Sequence, residues 1–400
     1  MNIIALTEDK YKTFSNNFRP KHYMQTVEYA NLMKRYNKIV YLGLEDNNNI
    51  VAAVMIIEEK NKYKYGYAPC GFLIDYNNYS LLEIFTEELK KYLSQLNYIY
   101  LRLNPFFTYH IFNKNKSIIK SNSNILENMK NIGYIHLENN NNFDNFNAIL
   151  NIDNTNTIYN NFNRSIKRKI KDSNLMGITY YQDNNIEKFY DLIKKKNNNN
   201  NKLEYYQDLI KYFKNDNCKF ELYFAKINSE IYLNNYRYIL KKEQERNLKL
   251  QEKIKNTNTK KLNKIISYKM ISDKLINKYK NKVIEASNIF SKYPDGIIVG
   301  SCAIIKCDDT IYFIDEGYEE KLRNIYSLNM LKWEIIKKYN NLDYKIFNLG
   351  NIPFVCNKND KYYGIYLSKI GFNPDIYEYC GELDLVVNKY IYTILKKLKR

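Results

Sequence analysis

The chain has 400 residues and a mass of 48.1 kDa, length for two or three units at about 150 residues per domain. Lys and Arg number 62 against 43 Asp and Glu, a net charge of +19; this points to a polyanionic partner (nucleic acid, acidic headgroups or a phosphorylated substrate) or to lysine enrichment by a biased genome. Aromatic residues at 15% and only 12 glycines exclude a disordered chain and Gly-rich phosphate-loop architectures, and no apolar run approaches the ~20 residues of a membrane helix.

The first fourteen residues, MNIIALTEDKYKTF, lack a basic segment followed by an apolar one. They do not read as a secretory signal, so an intracellular, cytoplasmic protein is expected. Val40–Leu44 and Ile50–Glu58 predict a hairpin turning at Asn47–Asn49. Leu82, Phe85, Leu89, Leu93 and Leu96 recur at helical spacing over Leu81–Leu96. Tyr98–Leu103 predicts a strand ending at Asn104-Pro105; Ile125–Asn131 and Gly133–Leu137 predict a short helix and strand. The Asn-rich stretch Asn139–Asn147 reads as a loop or a boundary.

A second unit starts near Ala148, with a strand at Ile149–Ile152, a basic helix over Thr157–Asp172 and a strand at Ile178–Tyr181. Helices are expected at Ile186–Lys196 and Leu203–Phe213, separated by the polar tract Asn197–Asn201, and a strand at Cys218–Ile227. From Tyr238 to Ser287 there is no Gly or Pro, and Leu248, Ile254, Leu262, Ile266, Leu275 and Ile276 form a sparse apolar stripe interrupted at Asn256–Thr259. This predicts an antiparallel two-helix arm. Strands follow at Gly296–Lys306, Thr310–Asp315, Lys345–Leu349 and Tyr377–Val387. Helices are expected at Ile325–Tyr339 and Lys389–Lys399, with a turn or short helix at Gly364–Lys369. The similar texture of the two units suggests an internal duplication with the arm inserted in the second. The divisions are 1–147, then 148–384 interrupted by an arm at 238–287, then a terminal segment 385–400 packing back on the first unit.

The six cysteines include no C-x-x-C pair and the three histidines are scattered. No metal is assigned, and the cysteines read as buried hydrophobes of a reducing compartment. No G-x-x-x-x-G-K-[ST], no G-x-G-x-x-G after a strand and no G-x-S-x-G elbow occurs. The expected chemistry therefore needs no cofactor and no enzyme nucleophile: the substrates carry nucleophile and leaving group, and the protein positions them and stabilises charge.

Seven stretches carry a resemblance: QTVEYANLMK (25–34), YGYAPCGFLIDY (65–76), YLRLNP (100–105), FNRSIKRKIKDSNLMGITYY (162–181), LEYYQDL (203–209), IFNLGNI (346–352) and GIYLSKIGFNPDIYEYCGELDLVVN (364–388). Together, in this order, they resemble the Fem family of peptidoglycan aminoacyltransferases over nearly the whole chain. The resemblance implies an α/β (α+β) fold of two acetyltransferase-like domains with an inserted coiled-coil arm. It implies direct aminolysis of aminoacyl-tRNA by an amine on the stem peptide of a muropeptide precursor, lipid-linked or UDP-linked. It further implies peripheral contact with the inner face of the plasma membrane and a monomer or weak dimer. Both substrates are polyanions, in keeping with the +19 charge.

Residue by residue, Lys369 in G-x-x-x-x-K-x-x-F (Gly364 to Phe372) matches the family's transition-state lysine; Ser368 replaces the usual aromatic before it. Tyr205 matches a precursor-binding tyrosine, but Asn201 stands where the family has an arginine, leaving Lys202 to supply a point charge. Lys34 lies one position from a precursor-contacting lysine. Asp315 is the candidate proton acceptor, with Glu316 beside it; Asn104, where some relatives carry aspartate, cannot act as a base. Independently of the resemblance, Arg164, Lys167, Arg168 and Lys171 share one helix face and form a candidate phosphate-binding surface. Two other readings stay open at this point: a non-catalytic tRNA- or RNA-binding protein on the same fold, and an acyl-CoA-dependent acyltransferase, whose Gly-containing pyrophosphate loop is not found.

Overall fold

The computed structural model describes residues 1–59, 63–137, 143, 145–194, 201–256 and 259–398. Most of the 139–147 and 197–201 tracts, and residues 257–258 at the arm's tip, lie outside them.

The hairpin forms as expected. Lys38–Asp46 pairs antiparallel with Asn49–Glu58. Asn47 and Asn48 both take positive φ, 45° and 65°, the geometry that matches the twist of the strands and that asparagine tolerates. Alternation divides its side chains between two cores: Leu42, Leu44, Val54 and Ile56 on one face, Tyr41, Ala53, Met55 and Ile57 on the other. The Tyr79–Gln95 helix, N-capped by Asn78, covers the first face with Leu82, Phe85, Leu89 and Leu93.

The described residues form two sheets. In order across the first lie Asn2–Ala5, Lys38–Asp46, Asn49–Glu58, Gly66–Ala68, Tyr100–Leu103, Leu383–Val386 and Tyr134–His136. Across the second lie Ile178–Gln182, Cys218–Ile227, Ile297–Cys307, Thr310–Tyr318, Ile346–Asn351, Phe146–Asn151, Asp375–Tyr379, Thr108–Phe112 and Ile118–Ser121. Both share a plan: four antiparallel strands, a parallel junction between the fourth and fifth, then antiparallel strands. Each sheet takes strands from the other part of the chain: Leu383–Val386 enters the first sheet, and Thr108–Phe112 with Ile118–Ser121 enters the second. Sheet membership therefore crosses the divisions drawn at 147 and 384, because strands 108–112 and 118–121 also belong to the second sheet.

Two sequence expectations are corrected. The strand expected over Tyr377–Val387 is two, Asp375–Tyr379 in the second sheet and Leu383–Val386 in the first. The chain switches sheets at Gly381, whose φ of +80° a side chain would resist. The helix expected over Thr157–Asp172 is also two, Thr155–Asn161 and Arg164–Leu175. Asn163 takes extended backbone there and caps the second helix, its side chain accepting from Ile166 N at 2.8 Å.

The arm is a helical hairpin, Ser229–Lys255 and Thr259–Lys292. It reaches further at its root than expected, where Tyr232, Leu233, Tyr236, Ala286 and Ile289 join the second-lobe core. Polar contacts cross-link it: Tyr232 to Glu285 at 2.9 Å and Asn247 to Asp273 at 2.8 Å. Leu248 and Ile266 of the expected stripe are exposed. The terminal helix Lys389–Leu398 packs on the first sheet through Tyr392, against Ile99, Tyr100 and Val386.

Candidate active site

The site begins where the second sheet splits. Thr310–Tyr318 and Ile346–Asn351 run parallel, but their pairing stops at Tyr312 and Asn348. Beyond that point Thr310–Tyr318 stays with Ile297–Cys307, while Asn351 pairs with Asn147 on Phe146–Asn151. Gly350 sits at the split with φ +79°. Lys369, in the last turn of the Tyr363–Ile370 helix, reaches into it. Its Nζ donates to the Asn351 carbonyl at 2.7 Å. A Cβ on Gly350 would stand 3.4 Å from that ammonium and 3.7 Å from the Phe313 carbonyl. The lysine is half-buried rather than solvated.

Asn351 also lines a cavity of about 370 Å³ between the lobes. Its walls come from both sheets and from the segment just before the Val27–Met33 helix: Tyr67, Cys70, Asn104 and Glu382 from one side, Asn147, Asn351 and Tyr379 from the other, His22 and Met24 between. Asn104 is occupied in holding the wall. Its Oδ1 accepts from Tyr67 Oη at 3.0 Å and from the Cys70 amide at 2.8 Å, where Cys70 has φ +48°. Phe106 and Tyr379, stacked at 5.6 Å, line both this cavity and a second one of about 530 Å³.

Cys70 and His22 share the cavity, yet they do not form a catalytic couple. Burial pushes the Cys70 thiol up to about 12 and pulls His22 down to about 3, so neither thiolate nor imidazolium exists near neutral pH. Neutral His22 accepts from Met24 N at 3.2 Å through Nδ1. Because the folded state holds His22 unprotonated while the unfolded chain titrates near 6.5, the unfolded state binds more protons between those values. Stability from His22 is full above about pH 6.5 and falls by up to about 1.4 kcal/mol per unit as pH drops toward 3. Urea midpoints between pH 7 and 5 should show this decline, and His22→Gln should flatten it; an unchanged slope in the variant would refute the assignment.

The other sequence-predicted residues divide. Tyr205 is half-buried against Tyr206, ring centroids 5.3 Å apart, and its phenol is raised by burial and then by the nearby Asp315 charge. Asp315 accepts from Tyr206 Oη at 2.6 Å and from the Glu316 amide at 2.7 Å. A bulge in Thr310–Tyr318 turns it toward the Leu203–Tyr212 helix, and it does not line the cavity at Asn351. Its carboxylate is thus engaged on the Tyr205 side of the split strand. Lys202 is exposed at the N-cap of that helix. Lys34 turns back to pair with Glu8 in its own lobe. Its neighbour Arg35, which sequence reasoning passed over, crosses to Asp208, one turn from Tyr205.

On the basic helix Arg164, Arg168 and Lys171 are exposed. Lys167 instead donates to the Asn160 carbonyl at 2.7 Å. The start of this helix touches the end of the Lys369 helix: Asn163 N donates to the Gly371 carbonyl at 3.0 Å, and a Cβ on Gly371 would strike Ile166 at 2.6 Å. Two more lysines bear on this region, Lys332, which is buried, and Lys169 of the basic helix, which is half-buried. Lys332 pairs with Glu316 at 2.8 Å and lies 4.8 Å from the Phe313 ring centroid, bracing the split strand. Lys169 is held below its usual range by burial and by neighbouring Arg168 and Lys332. Among the described residues, no group of His, Cys, Asp and Glu could hold a metal and no helix is long and apolar enough to cross a membrane.

Two sheets of one plan, sharing strands around a polar cavity whose Asn351 carbonyl holds a lysine ammonium, define a two-lobed α/β protein with a candidate site between the lobes. Residues 6–400 match the model of the FemAB family. The aminoacyltransferase FemA of Staphylococcus epidermidis is 24% identical over 420 residues, covering 100% of this chain and 99% of its own. FemA of Staphylococcus aureus strain bovine RF122 is 25% identical over 422 residues, with the same coverage. The crystal structure of FemX superposes with a TM-score of 0.76 at 16% identity, covering 98% of this chain and 99% of its own. The chain belongs to the FemAB family and is an aminoacyltransferase. That closes the reading as a non-catalytic RNA-binding protein.

Proposed function

We propose that this protein extends the stem peptide of a peptidoglycan precursor, taking the aminoacyl group from aminoacyl-tRNA by direct aminolysis to form an interpeptide bridge. The supporting observation is the Lys369 ammonium held by the carbonyl of Asn351, a residue that lines the interlobe cavity. A neutral amine of the stem peptide attacks the ester carbonyl. The C–N bond forms, the C–O bond to the terminal ribose breaks, and the proton shed by nitrogen ends on the departing ribose oxygen. Lys369 faces the oxyanion that forms between these events, where a fixed ammonium in a partly dry cleft is most effective. No cofactor enters the balance. The two sheets are read as acetyltransferase-like domains and the arm as a coiled coil, supported by the shared strand plan and the helical hairpin.

Tyr205 and Lys202 are assigned to the precursor side, with Arg35 in place of Lys34. Arg164, Arg168 and Lys171 are assigned to phosphates. If they neutralise phosphates, log affinity for tRNA falls linearly with log salt, and Arg168→Ala with Lys171→Ala reduces the slope by about 1 for each phosphate left unneutralised. Filter binding across a salt series measures this, and a flat wild-type response would rule the surface out. The reading as a whole is tested by mass spectrometry of lipid-linked and UDP-linked precursors incubated with a set of charged tRNAs. A mass increase of one amino-acid residue is expected; none from any charged tRNA would overturn it.

A further inference from the structure

We propose that the Lys389–Leu398 helix is an in-plane anchor for an anionic lipid surface. Its apolar arc is wider than the fold uses. Ile391, Tyr392 and Leu395 pack on the first lobe. Tyr390, Ile394 and Leu398, spaced four apart, remain open to solvent at 77%, 40% and 75% exposure. Residues at that spacing line one side of a helix, here continuous with the packed side. Lys389, Lys396 and Lys397 occupy the remaining arc and are exposed. Beside it, Lys90 and Lys91 of the Tyr79–Gln95 helix line a groove with Glu87, Ser94 and Val387, Lys91 being paired with Glu88 at 2.6 Å.

A helix with an open apolar stripe flanked by lysines fits a membrane interface: the stripe enters the headgroup–acyl boundary and the ammonium groups meet lipid phosphates. Charge complementarity selects this occupant over a second copy of the chain, since apposing two such faces would bring like charges together around the stripe. The inference goes beyond the transfer reaction and does not depend on which acceptor is used.

The test is co-sedimentation of the whole protein with vesicles that carry no muropeptide, either pure phosphatidylcholine or with roughly a third phosphatidylglycerol. Binding to the anionic vesicles is expected to exceed binding to neutral ones by about tenfold or more and to weaken with salt. Tyr390→Ser, Ile394→Ser and Leu398→Ser together should remove the binding while circular dichroism and transfer to a soluble acceptor stay unchanged. Separately, Lys389→Glu with Lys396→Glu and Lys397→Glu should abolish the preference for anionic lipid. Tyr390→Trp should show blue-shifted emission on vesicle addition. Absence of wild-type binding to either vesicle, or full binding by the triple-serine variant, would overturn the proposal. So would a wild-type dimer in sedimentation equilibrium that the triple-serine variant loses, since the face would then join two copies.

Discussion

Replacing Lys369 by Met is expected to lower kcat by about 10²–10³ while leaving the fold and tRNA affinity in place. Methionine keeps the length and apolar stem, so Tyr363–Ile370 loses no packing of consequence; what goes is the ammonium. The Asn351 carbonyl, 2.7 Å away, fixes the direction of one N–H donor and with it the position of the charge. Gly350 beside it has φ +79°, a backbone a side chain would resist, and a Cβ there would touch Nζ at 3.4 Å. Lys369→Arg keeps the charge but spreads it over a planar fork, so only part of the rate should return. Single-turnover transfer from charged tRNA separates the chemical step from binding. A Met variant with the wild-type single-turnover rate would remove Lys369 from the reaction.

Asp384→Ala is expected to destabilise the first lobe by about 3 kcal/mol. Asp384 is fully buried in the strand that crosses from the far part of the chain. It accepts from Arg102 Nε at 2.8 Å and Nη2 at 3.0 Å, and from Tyr392 Oη at 2.8 Å. One side chain thus ties the Tyr100–Leu103 strand, the exchanged strand and the terminal helix together. Removing it leaves a buried tyrosine hydroxyl without its acceptor and a guanidinium with only Glu382, at 3.5 Å, to turn to. The effect should appear as a lowered urea midpoint with little change in m. An unchanged midpoint would mean that the exchanged strand is held by its backbone ladder alone.

Much of this architecture could be read from residue order because it depends on local rules. The Asn turn of the first hairpin and the leucine spacing of Tyr79–Gln95 are each written in a few consecutive residues. The Gly-free, Pro-free stretch that becomes the arm is equally plain. The strands Thr108–Phe112 and Ile118–Ser121 were not anticipated, since the second is exposed along its whole length and carries no alternating burial to betray it. Lys369 was legible only through a resemblance of motif, as one lysine among many. Lys332 was not legible at all: nothing in LNMLKWEII says that its ammonium will be buried against Glu316. Arg35 and Lys34 show the finest grain of the problem, because one residue of helical rotation decides which cation crosses to the other lobe.

The order of residues by itself determined where most helices and strands form, the excess of positive charge, and the family to which the chain belongs. Which strand lies beside which was decided only in three dimensions. Period-two alternation states that a strand has a buried face and leaves its neighbour unnamed. The cleft follows from that second kind of information: Tyr67, Asn104, Asn351 and Tyr379 converge because each sheet takes strands from the other part of the chain and one of them splits at its parallel junction.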